Sequence, residues 1–331
     1  MIFLADTDEL PGINDIRIAA ERLEGIAVRT PLLESERLNE RAGARLFLKC
    51  EMFQPIGAFK VRGAWNMISR IPFDEVDNGV VSYSSGNHAQ AVAWAARRRG
   101  MQATIVMPED APNVKVANTK ALGADVILYD RNGEDRVLIS AEIAERTGAT
   151  IVPPYDHPAI IAGQGTAGLE AMQQMSDLGV VPDVFVVPCS GGGLIAGCSI
   201  AVKAEAPEAR VIAAEPEFFD DTARSLSTGK RLSNAPGHSS ICDALLVPTP
   251  GKLTFEIMRR TLSGGVAITE DEVRRTIRAA FLDARIVVEP GGAVGLAAAL
   301  SGKLKVPADN ICVVLSGGNI DRKLFADILN E

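Results

Sequence analysis

Disulfide signals, zinc motifs and an excess of basic residues are all missing from this chain of 331 residues. The five cysteines are odd in number, far apart and without a C-x-x-C pair, which argues against a disulfide framework and against a zinc site. The formal net charge is −8, with 34 basic and 42 acidic side chains. Because nucleic acids and anionic membranes attract basic surfaces, neither is an expected partner.

Long apolar runs and a secretory signal are missing as well. No stretch of the sequence approaches the length of a membrane span, and residues 1–15 carry acids where a signal peptide carries bases. We therefore expect a protein of the reducing cytoplasm. The length exceeds what one hydrophobic core usually holds, so we expect two domains that share a cleft.

What the chain does have is an alternation of short apolar strands and alanine-rich helices. The predicted strands are ARLFLKCE, GVVSYSS, ATIVMP, ADVILY, ATIVPP, DVFVVPC, RVIAAE, VAIT and ICVVLS. The predicted helices include HAQAVAWAARRRG, KVANTKALG, RVLISAEIAERTG, GLIAGCSIAVKAEAP and EDEVRRTIRAAFLDA. Continuous apolar strands separated by helices predict an α/β fold, in which helices cover both faces of a mainly parallel sheet.

In such folds ligands bind where strands end and helices begin. The first loop of this kind holds Lys60, within the sequence GAFKVRG at residues 57–63. Apolar neighbours would remove water from the lysine amine and lower its pKa, and the neutral amine is the form that builds a Schiff base. A solvated lysine at the start of a helix is the alternative.

A second loop, which we name the serine loop, comprises Ser84, Ser85, Gly86, Asn87 and His88. It lies between a predicted strand and a predicted helix. Hydroxyl and amide groups at the N-terminus of a helix offer several donors to an anion, and the helix dipole adds to the attraction. A plain helix cap is the alternative.

A third loop, the glycine loop, comprises residues Ser190–Gly193 and precedes a predicted helix. Three consecutive glycines cost conformational entropy unless the backbone must wrap closely around a ligand, and such a turn can cradle phosphate with its N–H groups. The pattern is neither G-x-G-x-x-G nor a P-loop, so it predicts a single phosphate. A fourth loop, Ser316–Asn319, indicates by itself only a tight turn.

Other catalytic patterns are not found in the sequence. The three histidines are far apart and none belongs to an H-E-x-x-H motif. No G-x-S-x-G motif of the α/β-hydrolases is present either. A mechanism built on histidine or on a serine nucleophile is therefore not indicated.

Taken in order along the chain, the loops resemble those of fold-type II pyridoxal-phosphate enzymes, and more narrowly the threonine/serine dehydratase and serine racemase group. The likeness extends from about Ile13 to Asp321. Its motifs are G-A-F-K-V-R-G at 57–63, S-S-G-N-H-A-Q at 84–90, I-A-G-Q-G-T at 161–166, S-G-G-G-L at 190–194, V-E-P-G-G-A at 288–293 and L-S-G-G-N at 315–319.

The resemblance implies a site for pyridoxal phosphate. Lys60 would hold the cofactor as a Schiff base and afterwards act as the base on the substrate Cα–H, while Phe59 would pack beside the ring. Asn87 would bond the 3-hydroxyl of the ring, and Ser316 would meet the pyridine nitrogen. The residues that would bind the phosphate are Ser190, Gly191, Gly192, Gly193 and Leu194.

The resemblance also implies ligands for the substrate and for a metal. The serine loop would hold the substrate carboxylate, and Ser85 would be the acid/base on the cofactor face opposite Lys60. The carboxylates of Glu215 and Asp221 and the carbonyl of Phe219 would bind Mg²⁺ or another divalent cation, which prefers oxygen ligands. An acidic, solvated turn is the alternative.

Two doubly wound domains follow from the same resemblance, the smaller inserted in the larger. We expect a large cofactor-binding domain at residues 1–78 and 156–331, and a small mobile domain at residues 79–155. A homodimer is also expected. The chain departs from the family pattern around the site: Ser190 replaces the first glycine of the usual G-G-G-G, and Tyr155 stands where serine racemases tend to carry Asn.

The implied activity removes water and then ammonia from a small β-hydroxy amino acid, such as L-threonine, L-serine or 3-hydroxyaspartate, and forms a 2-oxo acid. Amino-acid racemisation is the alternative, since Ser85 would face Lys60. A β-replacement enzyme and a cofactor-binding protein without catalysis are further alternatives. A second substrate carboxylate would need a cation, for which Arg62, Arg131 and Arg136 are candidates.

Overall fold

The computed structural model describes residues 9–111, 113–305 and 307–331. Its strands form a six-stranded sheet and a four-stranded sheet. The strands are β1 (Leu32–Glu34), β2 (Arg45–Cys50), β3 (Val80–Tyr83), β4 (Ala103–Pro108), β5 (Asp125–Tyr129), β6 (Thr150–Ile151), β7 (Val184–Pro188), β8 (Arg210–Pro216), β9 (Gly264–Ile268) and β10 (Asn310–Leu315).

Helices connect most of these strands. They are α1 (Ile13–Leu23), α2 (Glu36–Ala42), α3 (Val61–Ile68), α4 (Asn87–Arg99), α5 (Asn113–Ala121), α6 (Arg136–Thr147), α7 (Pro158–Asp177), α8 (Gly193–Glu205), α9 (Asp221–Thr228), α10 (Lys252–Thr261), α11 (Glu270–Ala284), α12 (Pro290–Leu300) and α13 (Arg322–Asn330). Glycine in the left-handed conformation ends α4, α6 and α9, as expected where a chain leaves a helix.

The larger sheet has the strand order β1-β2-β10-β7-β8-β9, and the smaller sheet has the order β5-β4-β3-β6. All neighbouring strands in both sheets are parallel except β1, which pairs antiparallel with β2 at the edge of the larger sheet. The predicted α/β class with mainly parallel sheets is therefore confirmed. Every strand predicted from the sequence overlaps an observed strand, whereas β1 was not predicted.

Apolar side chains cover both faces of the larger sheet. On one face α11 and α12 pack against alternate residues of β7 and β10, and on the other face α7 and α8 pack against the remaining ones. The strands β7 and β8 are consequently buried along almost their whole length. Burial on both faces explains why their sequences are continuous apolar runs instead of alternating patterns.

The smaller sheet lies within residues 79–155, the segment predicted to be a small domain. Its apolar core also includes side chains of α3, which precedes this segment, such as Val61, Ala64 and Ile68. The domain boundaries and the mobility of the small domain stay predictions. Among the described residues, no helix is both long enough and apolar enough to cross a lipid bilayer.

Candidate active site

The loop before α3 and the loop after β10 lie side by side at the carboxyl end of the larger sheet. The Phe59 N–H donates to the Ser316 carbonyl oxygen at 3.1 Å, and the Gly318 N–H donates to the Gly57 carbonyl oxygen at 2.9 Å. Parallel strands bring their following loops to one edge, which is where α/β folds bind ligands. The structure thus brings together Phe59, Lys60 and Ser316, and Ser316 is buried.

Lys60 occupies the position just before α3 and is partly buried. Its Nζ donates to the Pro154 carbonyl oxygen at 2.7 Å and lies 5.2 Å from the centre of the Phe59 ring. Desolvation lowers the pKa of this amine to about 8. A carboxylate in contact with the amine would raise this pKa again. Within residues 9–111, 113–305 and 307–331, no ion pair to Lys60 is found.

His88 lies close to this lysine but does not act as an acid near neutral pH. Burial, and then the positive charge of Lys60, lower the pKa of its imidazole to about 3. The neutral ring forms a hydrogen bond from Nε2 to the Val152 carbonyl oxygen at 3.1 Å. Its Nδ1 is buried and has no hydrogen-bond partner in the described part of the chain.

The serine loop connects β3 to α4, as the sequence indicates. Residues 84–87 are partly exposed, although β3 before them and much of α4 after them are buried. The Gly86 N–H donates to the Ser84 hydroxyl at 3.3 Å, and α4 begins at Asn87. A helix N-terminus with partly exposed hydroxyl groups suits a carboxylate. The carboxylate-binding role of this loop and the acid/base role of Ser85 stay predictions.

Asn87 is held by two side chains from other elements. Its Nδ2 donates to Glu289 Oε1 at 2.7 Å, and its Oδ1 accepts from Asn319 Nδ2 at 2.8 Å. Glu289 is buried at the start of α12, and burial, with the charge of Asp243, raises the pKa of its carboxyl to about 7. The amide of Asn87 is therefore fixed in orientation, and its contact with the cofactor ring stays a prediction.

Glu289 is a site residue that the sequence reasoning missed. It stands in the quoted motif V-E-P-G-G-A but received no role there. A signal was present, since a single carboxylate lies within an apolar run that opens a helix. Because carboxylates are rarely buried without a hydrogen-bond or ion-pair partner, a partner for Glu289 could have been expected.

The glycine loop adopts a conformation that side chains would prevent. A Cβ at Gly191 would lie 2.5 Å from ring atoms of Tyr155, and one at Gly192 would lie 2.9 Å from Thr254. Gly192 also has φ of +96°, in the left-handed region. Gly193 begins α8, and Leu194 behind it is buried. These glycines are required by the close approach of other side chains to the backbone.

The backbone of the glycine loop fits a phosphate group. Its carbonyl groups face the protein, since the Gly191 oxygen accepts from Thr254 Oγ1 at 2.7 Å and from the Gly251 N–H at 3.1 Å. By contrast, the N–H groups of Gly191, Gly192 and Gly193 donate to no atom of the residues described. Free N–H groups at the N-terminus of a buried helix form an anion site. The phosphate contacts themselves stay predictions.

Glu215 and Asp221, which we name the carboxylate pair, lie at the end of β8 and the start of α9. Both are buried, and Asp221 Oδ2 has no hydrogen-bond partner among the described residues. Burial and the charge of Asp221 raise the pKa of Glu215 to about 8, and burial raises that of Asp221 to about 6.

Neither carboxylate forms an ion pair with a described side chain, an arrangement that suits a divalent ion, and the carbonyl of Phe219 belongs to the turn between them. No group of three or more His, Cys, Asp or Glu side chains that could hold a metal occurs in the described ranges. The predicted ligand set includes only two such side chains, so the metal stays a prediction.

Comparison with known proteins relates the chain to one family. Residues 23–317 match the family model described as pyridoxal-phosphate dependent enzyme. The chain is 41% identical to an L-threo-3-hydroxyaspartate ammonia-lyase of Pseudomonas sp, over 97% of this chain and 99% of that protein. It is also 41% identical to an L-threonine ammonia-lyase of Thermotoga maritima, over 96% of this chain and 78% of that protein.

The structure of maize serine racemase superposes with a TM-score of 0.91 at 38% identity, over 97% of this chain and 98% of that one. These matches cover nearly the whole chain, including the loop that holds Lys60, the serine loop and the glycine loop. A desolvated lysine beside a loop with free N–H groups also fits an aldehyde cofactor that carries a phosphate. The chain belongs to the family of pyridoxal-phosphate dependent enzymes, and pyridoxal phosphate is its cofactor.

Proposed function

We propose that the protein is an ammonia-lyase that removes water and then ammonia from a small β-hydroxy α-amino acid, and releases a 2-oxo acid. The candidates are L-threonine, L-serine and 3-hydroxyaspartate. The observation that carries this proposal is that the desolvated Lys60 directly follows Phe59, whose N–H bonds to the Ser316 carbonyl oxygen, so that a serine and not a carboxylate stands at the predicted place of the ring nitrogen. Relatives at 41% identity carry the names of ammonia-lyases.

The bound cofactor supplies an electron sink for the substrate Cα. The protein supplies the base, and Lys60 suits this role because its pKa of about 8 leaves a substantial neutral fraction near neutral pH. His88 stays neutral with a pKa of about 3, so it adds no second positive charge beside the lysine. Lys60 would therefore accept the Cα proton and release it in a later step.

Ser316 favours elimination over transamination. A hydroxyl next to the ring nitrogen does not stabilise a proton there as a carboxylate would, so the ring is a weaker electron sink. A ring held by Ser316 would therefore favour loss of the β-hydroxyl group over transamination. A Ser316→Asp variant should accordingly lose ammonia release from L-serine relative to its rate of Cα-proton exchange with solvent.

A second carboxylate on the substrate would be bound by Arg136. The structure excludes Arg62, which is fully buried and donates to Glu51 and Glu170. Arg136, at the start of α6, places its guanidinium 5.6 Å from the centre of the Tyr83 ring, and the serine loop follows that tyrosine directly. Arginine suits carboxylates because its fork can donate two parallel hydrogen bonds.

The role of Arg136 is tested by Arg136→Gln, with Arg131→Gln as the matched control, because Arg131 is exposed and paired with Asp110. We expect the KM for 3-hydroxyaspartate to rise at least tenfold in the first variant, with little change for L-serine. An equal effect of both variants, or an equal effect on both substrates, would show that Arg136 does not select a dicarboxylic substrate.

Racemisation is the second candidate function, because the chain also resembles serine racemases and carries Ser85 in the serine loop. The two functions separate when purified protein is incubated with L-serine and both products are measured. Pyruvate without D-serine would exclude racemisation as the main activity. If both form, Ser85→Ala should abolish D-serine formation and largely spare elimination from the L isomer.

The central experiment replaces Lys60. Lys60→Ala should remove both the visible absorption band of the bound cofactor and the release of ammonia from all three candidate substrates. Lys230→Ala, at an exposed lysine, is the control and should change neither. A colourless wild-type protein, or an unchanged band in Lys60→Ala, would overturn the proposal.

We also propose that the carboxylate pair holds a divalent cation and that the enzyme is a cytoplasmic homodimer. Support for the cation comes from two buried carboxylates with raised pKa values, and support for a reducing compartment from five free, buried cysteines. Chelation should lower the unfolding temperature of wild-type protein but not of Asp221→Asn. Light scattering of the purified protein should give twice the mass of one chain.

A further inference from the structure

A path of hydrogen bonds joins the carboxylate pair to the glycine loop. Asp221 Oδ1 accepts from Asn234 Nδ2 at 2.6 Å, and the same amide nitrogen donates to the Val247 carbonyl oxygen at 3.3 Å. The Val247 N–H in turn donates to the Ser190 hydroxyl oxygen at 3.2 Å. The predicted metal site and the predicted phosphate site are therefore separated by Asn234 and a single further residue, Val247.

Asn234 is fixed at both polar atoms of its side chain and at its backbone N–H. Its Oδ1 accepts from Arg224 Nη2 at 2.6 Å, and its backbone N–H donates to the Pro248 carbonyl oxygen at 2.8 Å. Its amide cannot turn without breaking bonds on both sides, because each of its hydrogens and its oxygen is engaged. The position of Val247 therefore depends on Asn234.

Val247 in turn contacts Ser190, the first residue of the glycine loop. Its hydroxyl oxygen accepts the Val247 N–H, so the hydroxyl hydrogen points away from Val247 and remains available as a donor. The residues that follow, Gly191 to Gly193, present N–H groups without an acceptor among the described residues. A serine hydroxyl oriented in this way adds a side-chain donor to a set of backbone donors, which a glycine at this position would lack.

We propose that Asn234 is a positioning residue, anchored on the carboxylate pair, that holds the Ser190 hydroxyl on the phosphate of the cofactor. The inference deepens the proposed function and rests on the glycine loop as the phosphate site. Loss of one hydrogen bond to a charged group should weaken cofactor binding about tenfold. Asn234→Ala and Ser190→Ala should each have an effect of about this size.

The test is a double-variant cycle on the affinity for pyridoxal phosphate. Cofactor-free wild type, Asn234→Ala, Ser190→Ala and the double variant are titrated with pyridoxal phosphate, and the visible absorption of the bound cofactor is followed. If Asn234 acts through Ser190, the double variant should bind no more weakly than either single variant. Multiplication of the two effects, to about a hundredfold, would overturn the inference.

Two controls separate positioning from general loosening of the structure. Titration with pyridoxal, which lacks the phosphate, should give the same affinity in all four proteins. Thr249→Ala removes a hydrogen bond to the Leu232 carbonyl in the same segment, off the path to Ser190, and should leave the affinity for pyridoxal phosphate unchanged. A loss of pyridoxal binding in Asn234→Ala, or a loss in Thr249→Ala, would show that the segment as a whole is responsible.

The anchoring on the carboxylate pair is tested with Mg²⁺. Added Mg²⁺ should raise the affinity for pyridoxal phosphate in wild type and leave Asn234→Ala unchanged. An equal response in both proteins, including no response in either, would overturn the anchoring. Ammonia release by the loaded wild type is measured on the same samples, so that failure of the proposed function is told apart from failure of this path.

Discussion

The low pKa of Lys60 predicts an unusual pH dependence for attachment of the cofactor. A lysine with the ordinary pKa of 10.5 is about 0.03% neutral at pH 7, whereas one with a pKa of about 8 is about 9% neutral. Only the neutral amine attacks an aldehyde. The structure therefore predicts a reactive fraction about 300-fold larger for Lys60 than for a solvated lysine at neutral pH.

The sign and the pH window follow from the same two values. As the pH falls below 8, the neutral fractions of Lys60 and of an ordinary lysine decrease in parallel, so their rates of attack differ by a constant factor. Between pH 8 and pH 10.5 Lys60 is already neutral while the ordinary amine is still losing its proton. The rate advantage of Lys60 should accordingly shrink from about 160-fold at pH 8 to about twofold at pH 10.5, and be constant again well above this window.

Mixing cofactor-free protein with pyridoxal phosphate at a series of pH values measures this advantage. A blocked lysine derivative is followed in parallel, because the ratio of the two rate constants cancels the titration of the cofactor itself. Lys60→Ala provides the background from surface lysines. A ratio that stays constant up to pH 10 would show that Lys60 titrates like a solvated lysine, and would refute the role assigned to desolvation.

Three further outcomes test the surroundings of the site. The pKa of Glu289 in the folded protein, about 7, lies above its ordinary value of 4.5, so the free energy of unfolding falls as the pH rises between these values. Glu289→Gln should therefore recover up to about 3 kcal/mol of unfolding free energy at pH 8, but none at pH 4, in urea unfolding. An equal difference in unfolding free energy between wild type and Glu289→Gln at both pH values would contradict this expectation. Gly191→Ala puts a Cβ 2.5 Å from a tyrosine ring and should weaken pyridoxal phosphate binding at least tenfold, unlike the control Gly133→Ala. Arg62→Met strands the buried Glu51 and should cost about 3–5 kcal/mol of unfolding free energy, whereas a cost below about 1 kcal/mol would mean that Glu51 finds another partner or a proton.

The fold could be predicted from the sequence because each parallel strand buries both faces. Strands such as β7 and β8 are continuous apolar runs, and the helices between them end in glycine or proline. The edge strand β1 escaped prediction because it is three residues long and half exposed. Only its pairing with β2, where Leu33 lies opposite Leu48, makes it a strand, and that pairing is a long-range contact.

The loops of the site could be placed from the sequence, but not the contacts between them. Strand order decides which loops meet. Because β2, β10 and β7 are neighbours in the larger sheet, the loop that holds Lys60, the loop that begins at Ser316 and the glycine loop lie at one edge of it. The partner of Asn87 is 202 residues away at Glu289, and no local pattern announces such a pair. For the same reason the sequence left Arg62 open as a substrate ligand.

Lys60 and Arg62 show why local sequence could not assign their charge states. They are two residues apart at the start of α3, and successive helical residues are about 100° apart, so their side chains leave the helix in nearly opposite directions. Arg62 reaches Glu51 at 2.7 Å and Glu170 at 2.7 Å, and these carboxylates hold its pKa above the ordinary value in spite of burial. Lys60 meets a backbone carbonyl instead, and burial lowers its pKa.

The two outcomes are connected. Lys49 donates to Glu170 as well, so Arg62 and Lys49 together engage the buried Glu51 and the partly buried Glu170 near the base of α3. In a protein with a net charge of −8, a catalytic amine with a lowered pKa requires that nearby carboxylates be paired elsewhere, since one beside Lys60 would favour its ammonium form. We therefore infer that the ion pairs of Arg62 help to keep the pKa of Lys60 low although they do not touch it.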